Sequence, residues 1–270
     1  MSESRIRVER HGRVAVVVLS HGKMNTVTVD MTRDLGTALT ALAADQEVGA
    51  LVLTGEGERA FCAGSEIREF PQLCADRAIV RTKLGPENEV YGMLAHFPKP
   101  TVGAIEGIAL GGGLELASGC DMLVASENAR MGLPEIKLGG FPGSGGTVRV
   151  TRRIGMGRAK EMMLLGDMIA AETALAWGLV NRIAPAGGAK AMALEIAARL
   201  AEAPAQAVYA CKEALDNAFD LPEAEAISRS LALSETLSRT HDFNEGVGAF
   251  VEKRPARFSD VLATADFGAR

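Results

Sequence analysis

The sequence predicts an α/β body that gives way to an all-helical tail. Three observations carry this. Short apolar runs alternate with helix-spaced segments and glycine turns through the first 190 residues. From about Ala186 onward no strand pattern remains. A proline-bounded apolar run, Thr101–Ile108, meets the triplet Gly111, Gly112, Gly113 and continues as a small-residue helix, Leu114–Ser118. The composition shift divides the chain into a body, 1–190, and a helical region, 191–270.

The elements follow in order. Arg13–Leu19 reads as a strand, and Met31, Leu35, Ala38, Leu39 and Leu42 recur at helical spacing over about residues 28–44. Ala50–Leu53 is a second strand, closed by Gly55 and Gly57, and Phe61–Ile67 is a turn centred on Gly64. Residues 68–97 look helical but interrupted at Gly85-Pro86. After the triplet, Met122–Ala125 and Ala129–Leu133 read as strands. The glycine-rich loop Gly139–Gly146 then leads into a helix, Thr147–Ile154. The tail reads as four helices: Lys190–Glu202, Pro204–Asn217, Pro222–Leu237 and His241–Lys253. Pro204 and Pro222 fit helix starts, where a missing N–H costs little.

Composition excludes several classes. The 270 residues are 47% hydrophobic and 23% charged, enough for a full core. A net charge of -5 with scattered Lys and Arg argues against nucleic acid as a partner. No apolar segment reaches the length of a membrane span. The N-terminal MSESRIRVER lacks the apolar stretch of a secretory leader and carries two glutamates, so a cytoplasmic location is expected. The four cysteines are widely spaced without a CxxC, which fits reduced thiols. The four histidines show no ligand spacing with each other or with the cysteines, so no metal site is expected.

The glycine triplet needs care. The third residue after Gly113 is Leu116, so the dinucleotide fingerprint fails, and no Walker A sequence occurs. Pro142 stands where a nucleophile elbow around Ser144 would need glycine, which disfavours a serine hydrolase. On residues alone, the triplet fits close helix–strand packing as well as close approach to a ligand. Glu115 fits a dipole-stabilising role as well as a functional one, yet its apolar neighbours predict burial, which is costly for an unpaired carboxylate. Glu135, after Pro134, is a second glutamate in apolar company, and two such groups could share acid–base work. Phe61–Ile67 reads either as a plain strand-to-helix loop or as a source of a free backbone N–H.

Together, IEGIALGGGLELASGCD, FCAGSEI and MGLPEIKLGGFPGSGG resemble the enoyl-CoA hydratase/isomerase, or crotonase, superfamily. The likeness runs nearly the whole chain, from LSHGKMNTVT, similar to the family's LNRP-x-x-x-N-A segment, to AFVEKRPARF. It implies a spiral of ββα units followed by helices that build homotrimers, commonly paired into homohexamers. It implies an acyl-CoA thioester substrate, with coenzyme A carried in the substrate and no further cofactor. By match, the backbone N–H groups of Ser65 and Gly112 form an oxyanion hole, and Glu115 and Glu135 are the catalytic pair. Coenzyme A would run past Ala63, Ser65, Glu66, Ile67, Arg68 and Gly112. Lys23, and Lys253 from a neighbouring subunit, would meet phosphates, although both fit solvated surface charges equally well.

Three departures stand out: Ser65 where many relatives have alanine, Glu66 for the commoner aspartate, and the Met24-Asn25-Thr26-Val27 segment. None removes a catalytic part. The activity the resemblance implies is reversible hydration of a 2-enoyl-CoA to a 3-hydroxyacyl-CoA, a lyase reaction of fatty acid, amino acid and aromatic breakdown. The alternatives are a double-bond isomerase that uses Glu135 alone, a specialised lyase or decarboxylase, and a non-catalytic member that binds RNA or serves only as a subunit. Retention of both glutamates favours the hydratase.

Overall fold

The structure is a computed structural model, and it describes residues 5–262. The first four residues of the N-terminal segment and the last eight of the 191–270 region lie outside the described residues.

Strands β1 (Ile6–His11) and β2 (Val14–Leu19) form an antiparallel hairpin, and helix α1 (Val29–Ala44) follows. The chain then repeats one move. It lays a strand in a first sheet, turns, and lays the next strand in a second sheet. Strand β3 (Ala50–Gly55) is followed by β4 (Ala60–Cys62), β5 (Thr101–Ile105) by β6 (Ile108–Leu110), and β7 (Met122–Ser126) by β8 (Arg130–Gly132). The first sheet has the order β1-β2-β3-β5-β7-β10, with β10 at Arg182–Ala184, and is parallel from β2 onward. The second has the order β4-β6-β8-β9, with β9 at Ile169–Ala170. Each turn of chain therefore adds one strand to each sheet, which is the spiral of ββα units the resemblance implies.

The alternation of side chains explains why the first sheet is apolar on both faces. Every residue of β2 is buried. Ala15, Val17 and Leu19 join the core beneath α1, with Leu51 and Leu53 of β3. Val14, Val16 and Val18 join a second core on the other face, with Ala50 and Val52. Period-two strands covered on both sides read as continuous apolar runs, as seen here. The second face is covered by α8 (Ala189–Ala201), whose Ala189, Ala193, Ala197 and Ala201 recur every fourth residue and are buried against the sheet.

Two expectations are corrected. Thr101–Ile108 is not one strand. It splits at Glu106-Gly107 into β5 and β6, which belong to different sheets. Gly107 has φ +59°, and a Cβ there would collide with the Arg59 carbonyl, so glycine permits the corner. Nor does Gly85-Pro86 interrupt a helix. A π-helical turn, Val80–Leu84, runs directly into α3 (Gly85–Ala95), with Gly85 N–H donating to the Val80 carbonyl. Pro86 is the second residue of α3, directly after the π-helical turn. A short helix α2 (Phe70–Ala75) precedes it.

Helix α4 (Gly112–Ala117) follows β6, and α5 (Gly146–Ile154) follows the glycine-rich loop. Helices α6 (Met156–Leu165) and α7 (Ala171–Trp177) complete the body. Beyond α8 come α9 (Ala205–Asp220), α10 (Glu223–Leu237) and α11 (His241–Glu252). These last three bury little: α10 has no buried residue, and Leu231, Phe250 and Val251 are largely exposed.

Candidate active site

The site forms where α4 begins. The three glycines have three separate reasons. Gly111 takes φ +51° to turn the chain from β6 into the helix, and a Cβ on it would lie 3.0 Å from Glu135 Oε1. A Cβ on Gly112 would lie 3.1 Å from Ser65 Oγ and 3.4 Å from Ser65 N. A Cβ on Gly113 would collide with the Cys62 carbonyl. Gly113 therefore permits packing, and Gly111 and Gly112 permit close approach of the Glu135 and Ser65 side chains.

Extended-chain alternation sets the direction of the Ser65 N–H. On either side of Ser65, the Gly64 carbonyl accepts from Val27 N–H at 2.9 Å, and Glu66 N–H donates to the Val27 carbonyl at 2.8 Å. The N–H between them points the opposite way, toward Gly112, and has no acceptor among the described residues. Gly112 N–H, first in α4, likewise has none, as expected for a helix start. Two donors without acceptors among the described residues thus lie on adjoining segments, Gly112 packed against Ser65.

Glu115 is 2% exposed. Its Oε1 accepts two backbone bonds at 2.8 Å each, from Ser144 N–H and Gly146 N–H. A Cβ on Gly146 would lie 2.9 Å from Glu115 Cγ and Oε1, so glycine lets the loop close over the carboxylate. Burial pushes the Glu115 pKa up to about 7. The two N–H donors oppose that rise, while the negative charges of Glu135 and Glu87 add to it. Glu135 opens a 3₁₀ turn, Glu135–Leu138, and is half-buried. Its Oε2 is buried without a hydrogen-bond partner, and burial raises its pKa. The structure therefore brings both predicted glutamates to one place.

The predicted coenzyme A contacts line up along the turn after β4. The Ala63 carbonyl accepts no hydrogen bond among the described residues, and Ile67 is 57% exposed. Glu66 turns inward: its carboxylate accepts from Arg68 N–H, the Arg68 guanidinium and Thr26 Oγ1, and these hold its pKa down to about 2. Lys23 is exposed on the early loop, and Lys253 is exposed at the end of α11 with φ +56°. Within the divergent early segment, Val27 supports Ser65 and Asn25 anchors the segment to the β3–β4 turn. Asn25 Nδ2 donates to the Glu56 and Ala60 carbonyls, and Val27 pairs with Ser65.

Sequence reasoning missed a buried polar cluster behind the donors. Glu87 on α3 is fully buried. It accepts from Ser65 Oγ at 3.2 Å and from Ser144 Oγ at 2.7 Å. Lys83, also fully buried, lies 3.3 Å from Glu87 Oε1 and donates to Glu69 Oε2 and the Val27 carbonyl, each at 2.9 Å. The Tyr91 hydroxyl is buried and unpartnered, 3.8 Å from where a Gly112 Cβ would be. The signal was Lys83, Glu87 and Tyr91 at four-residue spacing on one helix face. Ser144 donates its hydroxyl to a carboxylate and not to an imidazole, in keeping with the rejected hydrolase. Far from this site, His241, Asp242 and Asp260 cluster within 4.8 Å, and Asp242 and Asp260 accept backbone N–H bonds that clamp the segment after α11.

A fold that winds strands alternately into two sheets and brings two acceptor-free N–H groups and two largely buried carboxyls to one helix start defines a scaffold for stabilising an oxyanion. The chain matches the family described as "Enoyl-CoA hydratase/isomerase" over residues 9–261, and it belongs to that family. It is 39% identical over 259 residues to a protein of Rhizobium meliloti named "Probable enoyl-CoA hydratase", covering 96% of this chain and 99% of the relative. It is 36% identical to a "Short-chain-enoyl-CoA hydratase" of Clostridium acetobutylicum, covering 94% and 97%. Among solved structures, an enoyl-CoA hydratase from Bacillus anthracis superposes with a TM-score of 0.90 at 34% identity, covering 94% of this chain and 99% of that one.

Proposed function

We propose that this protein is an enoyl-CoA hydratase that adds water reversibly to a 2-enoyl-CoA, giving a 3-hydroxyacyl-CoA. The observation that carries the reading is the meeting of two raised-pKa glutamates with two acceptor-free N–H groups. Attack of water at C3 moves charge onto the thioester oxygen. The Ser65 and Gly112 N–H groups stabilise that charge, and one such donor is worth about 10²–10³ in rate. Glu115 is held as the base: its Oε1 is fixed by Ser144 and Gly146, which leaves Oε2 to take the proton from water. Glu135 serves as the acid. Its buried oxygen has no hydrogen-bond partner, which leaves it free to carry a proton to C2, and burial raises its pKa. The carboxyls titrate as an interacting pair.

Coenzyme A enters as part of the substrate, along Ala63, Ile67 and Arg68, with Lys23 near its phosphates, and the chemistry requires no metal or redox cofactor. The exposed apolar side chains of α10 and α11 support self-association into a homotrimer or homohexamer, in which Lys253 would reach a neighbour's substrate. The 1–190 and 191–270 division fits this, except that α8 serves the body's core. None of the described helices is long and apolar enough to cross a membrane, and a cytoplasmic location is part of the proposal. Incubation with crotonyl-CoA should bleach the conjugated-thioester absorbance. Absence of bleaching across enoyl chain lengths would refute the reading. A gel-filtration mass near one chain would refute the oligomer.

A further inference from the structure

Nothing in the proposed reaction uses the Glu87 cluster. Its position relative to the reacting groups is nevertheless specific. Ser65 carries one oxyanion donor, and Ser144 carries one of the two N–H groups that fix Glu115. These residues are 79 positions apart in sequence, taking 144 minus 65. Their hydroxyls meet on the two oxygens of one carboxylate, Ser65 at 3.2 Å on Oε1 and Ser144 at 2.7 Å on Oε2. Lys83, 3.3 Å from Oε1, completes the carboxylate's environment and is itself tied to Glu69 and to the Val27 carbonyl behind Ser65.

We infer that Glu87 is a positioning residue, which sets the spacing between the oxyanion donors and the base by holding Ser65 and Ser144 on one buried carboxylate. The inference rests on the hydratase reading for what the spacing achieves. Its physical basis is independent of that reading. A buried ion pair is weak evidence for stability, since apolar residues of similar volume usually pack as well. Its advantage is geometric: a rigid, bidentate acceptor fixes two loops that the backbone does not otherwise join. Ser65 belongs to this device. The hydroxyl that distinguishes it from alanine is a ligand of Glu87 and not a competitor in the cleft.

Glu87 also places a fixed negative charge near Glu115. The groups facing this pair are Lys83 on the π-helical turn, Tyr91 on α3, Glu69 and Cys62 before them, Glu135, and Arg149 on α5. Removing the Glu87 charge takes away one of the causes that raise Glu115 and so favours its ionised form.

The test compares wild type with Glu87→Gln, and with Lys83→Met/Glu87→Gln, which removes both charges if the single variant folds poorly. Two readouts are taken: steady-state hydration of crotonyl-CoA, and titration of the Glu115 side chain by carbon NMR without substrate. Expected for Glu87→Gln is a fall in kcat of about 10- to 100-fold at little-changed KM, with the Glu115 midpoint moved to lower pH. Glu87→Asp, which keeps the charge, should hold the midpoint and restore part of kcat. A lowered melting temperature with unchanged kcat and midpoint would overturn the inference, because a purely structural pair behaves so. Failure of wild type to hydrate crotonyl-CoA would strike at the hydratase reading, while the substrate-free midpoint would still decide whether Glu87 couples to Glu115.

Discussion

Glu115 and Glu135 face the same cleft from unlike supports. Glu115 sits on a helix, and a glycine-rich loop folds over it to give two N–H bonds to one oxygen. Glu135 sits on a 3₁₀ turn, half-buried, with one oxygen lacking any partner. Burial raises both; two loop N–H groups oppose the rise at Glu115, and only its own backbone N–H opposes it at Glu135. The difference shows how one residue type can serve as base and acid within a single site. The loop donors fix one Glu115 oxygen and with it the direction of the other, whereas Glu135 keeps a buried oxygen without a partner.

The largest expected effect comes from removing the base. Glu115→Gln keeps an oxygen for Ser144 and Gly146 but cannot take a proton, and hydration should fall by about 10³-fold. Stability should not fall with it. A carboxyl whose folded pKa is raised contributes stability below its unfolded value, and that contribution is lost as pH rises from 4.5 to about 7. Above pH 7 the glutamine variant should therefore melt at the same temperature as wild type or higher. Calorimetry beside the activity assay checks both halves.

Two glycine variants then separate the supports. In Gly146→Ala the new Cβ, 2.9 Å from Glu115 Cγ, pushes the base off its donors, and kcat should drop by about 10²-fold with the acid limb shifted upward. In Gly111→Ala the new Cβ meets Glu135 Oε1 at 3.0 Å and must also adopt φ +51°, so a loss of activity should come with a loss of stability. Equal pH profiles for the two variants would break the distinction between base and acid.

The wild-type pH profile is a gentler test. Activity should rise with pH through about 7 as Glu115 loses its proton, and Glu135→Gln, which removes a negative charge that raises Glu115, should move that limb of its residual activity to lower pH. The smallest effect is expected at Glu66. Its pKa of about 2 means that its bonds to Arg68 and Thr26 stabilise the fold at neutral pH and cease to do so as pH falls through about 2. Glu66→Gln should cost about 1 kcal/mol at pH 7, because Arg68 is an exposed partner. Urea melts at the two pH values resolve it.

What was legible in the sequence was local. The triplet, Glu115 and the Phe61–Ile67 turn are contiguous segments whose constraints come from neighbours a few residues away. The Thr101–Ile108 run was legible as apolar and extended, but a corner between two sheets depends on Arg59, 48 positions before Gly107, counting 107 minus 59. Lys83 and Glu87 were hidden for the same reason. Charges on an unpatterned helix read as solvated until partners from Ser65, Ser144 and Val27 bury them. The six residues of β1 were missed because only Ile6 of its alternating pattern is buried.

The most direct test is hydration of crotonyl-CoA in deuterated water, with the product read by NMR. The account predicts a 3-hydroxyacyl-CoA bearing one deuterium at C2, delivered from Glu135, and no such product from Glu115→Gln on the same timescale. A product whose double bond has only moved, or full hydration by the Glu115 variant, would contradict it.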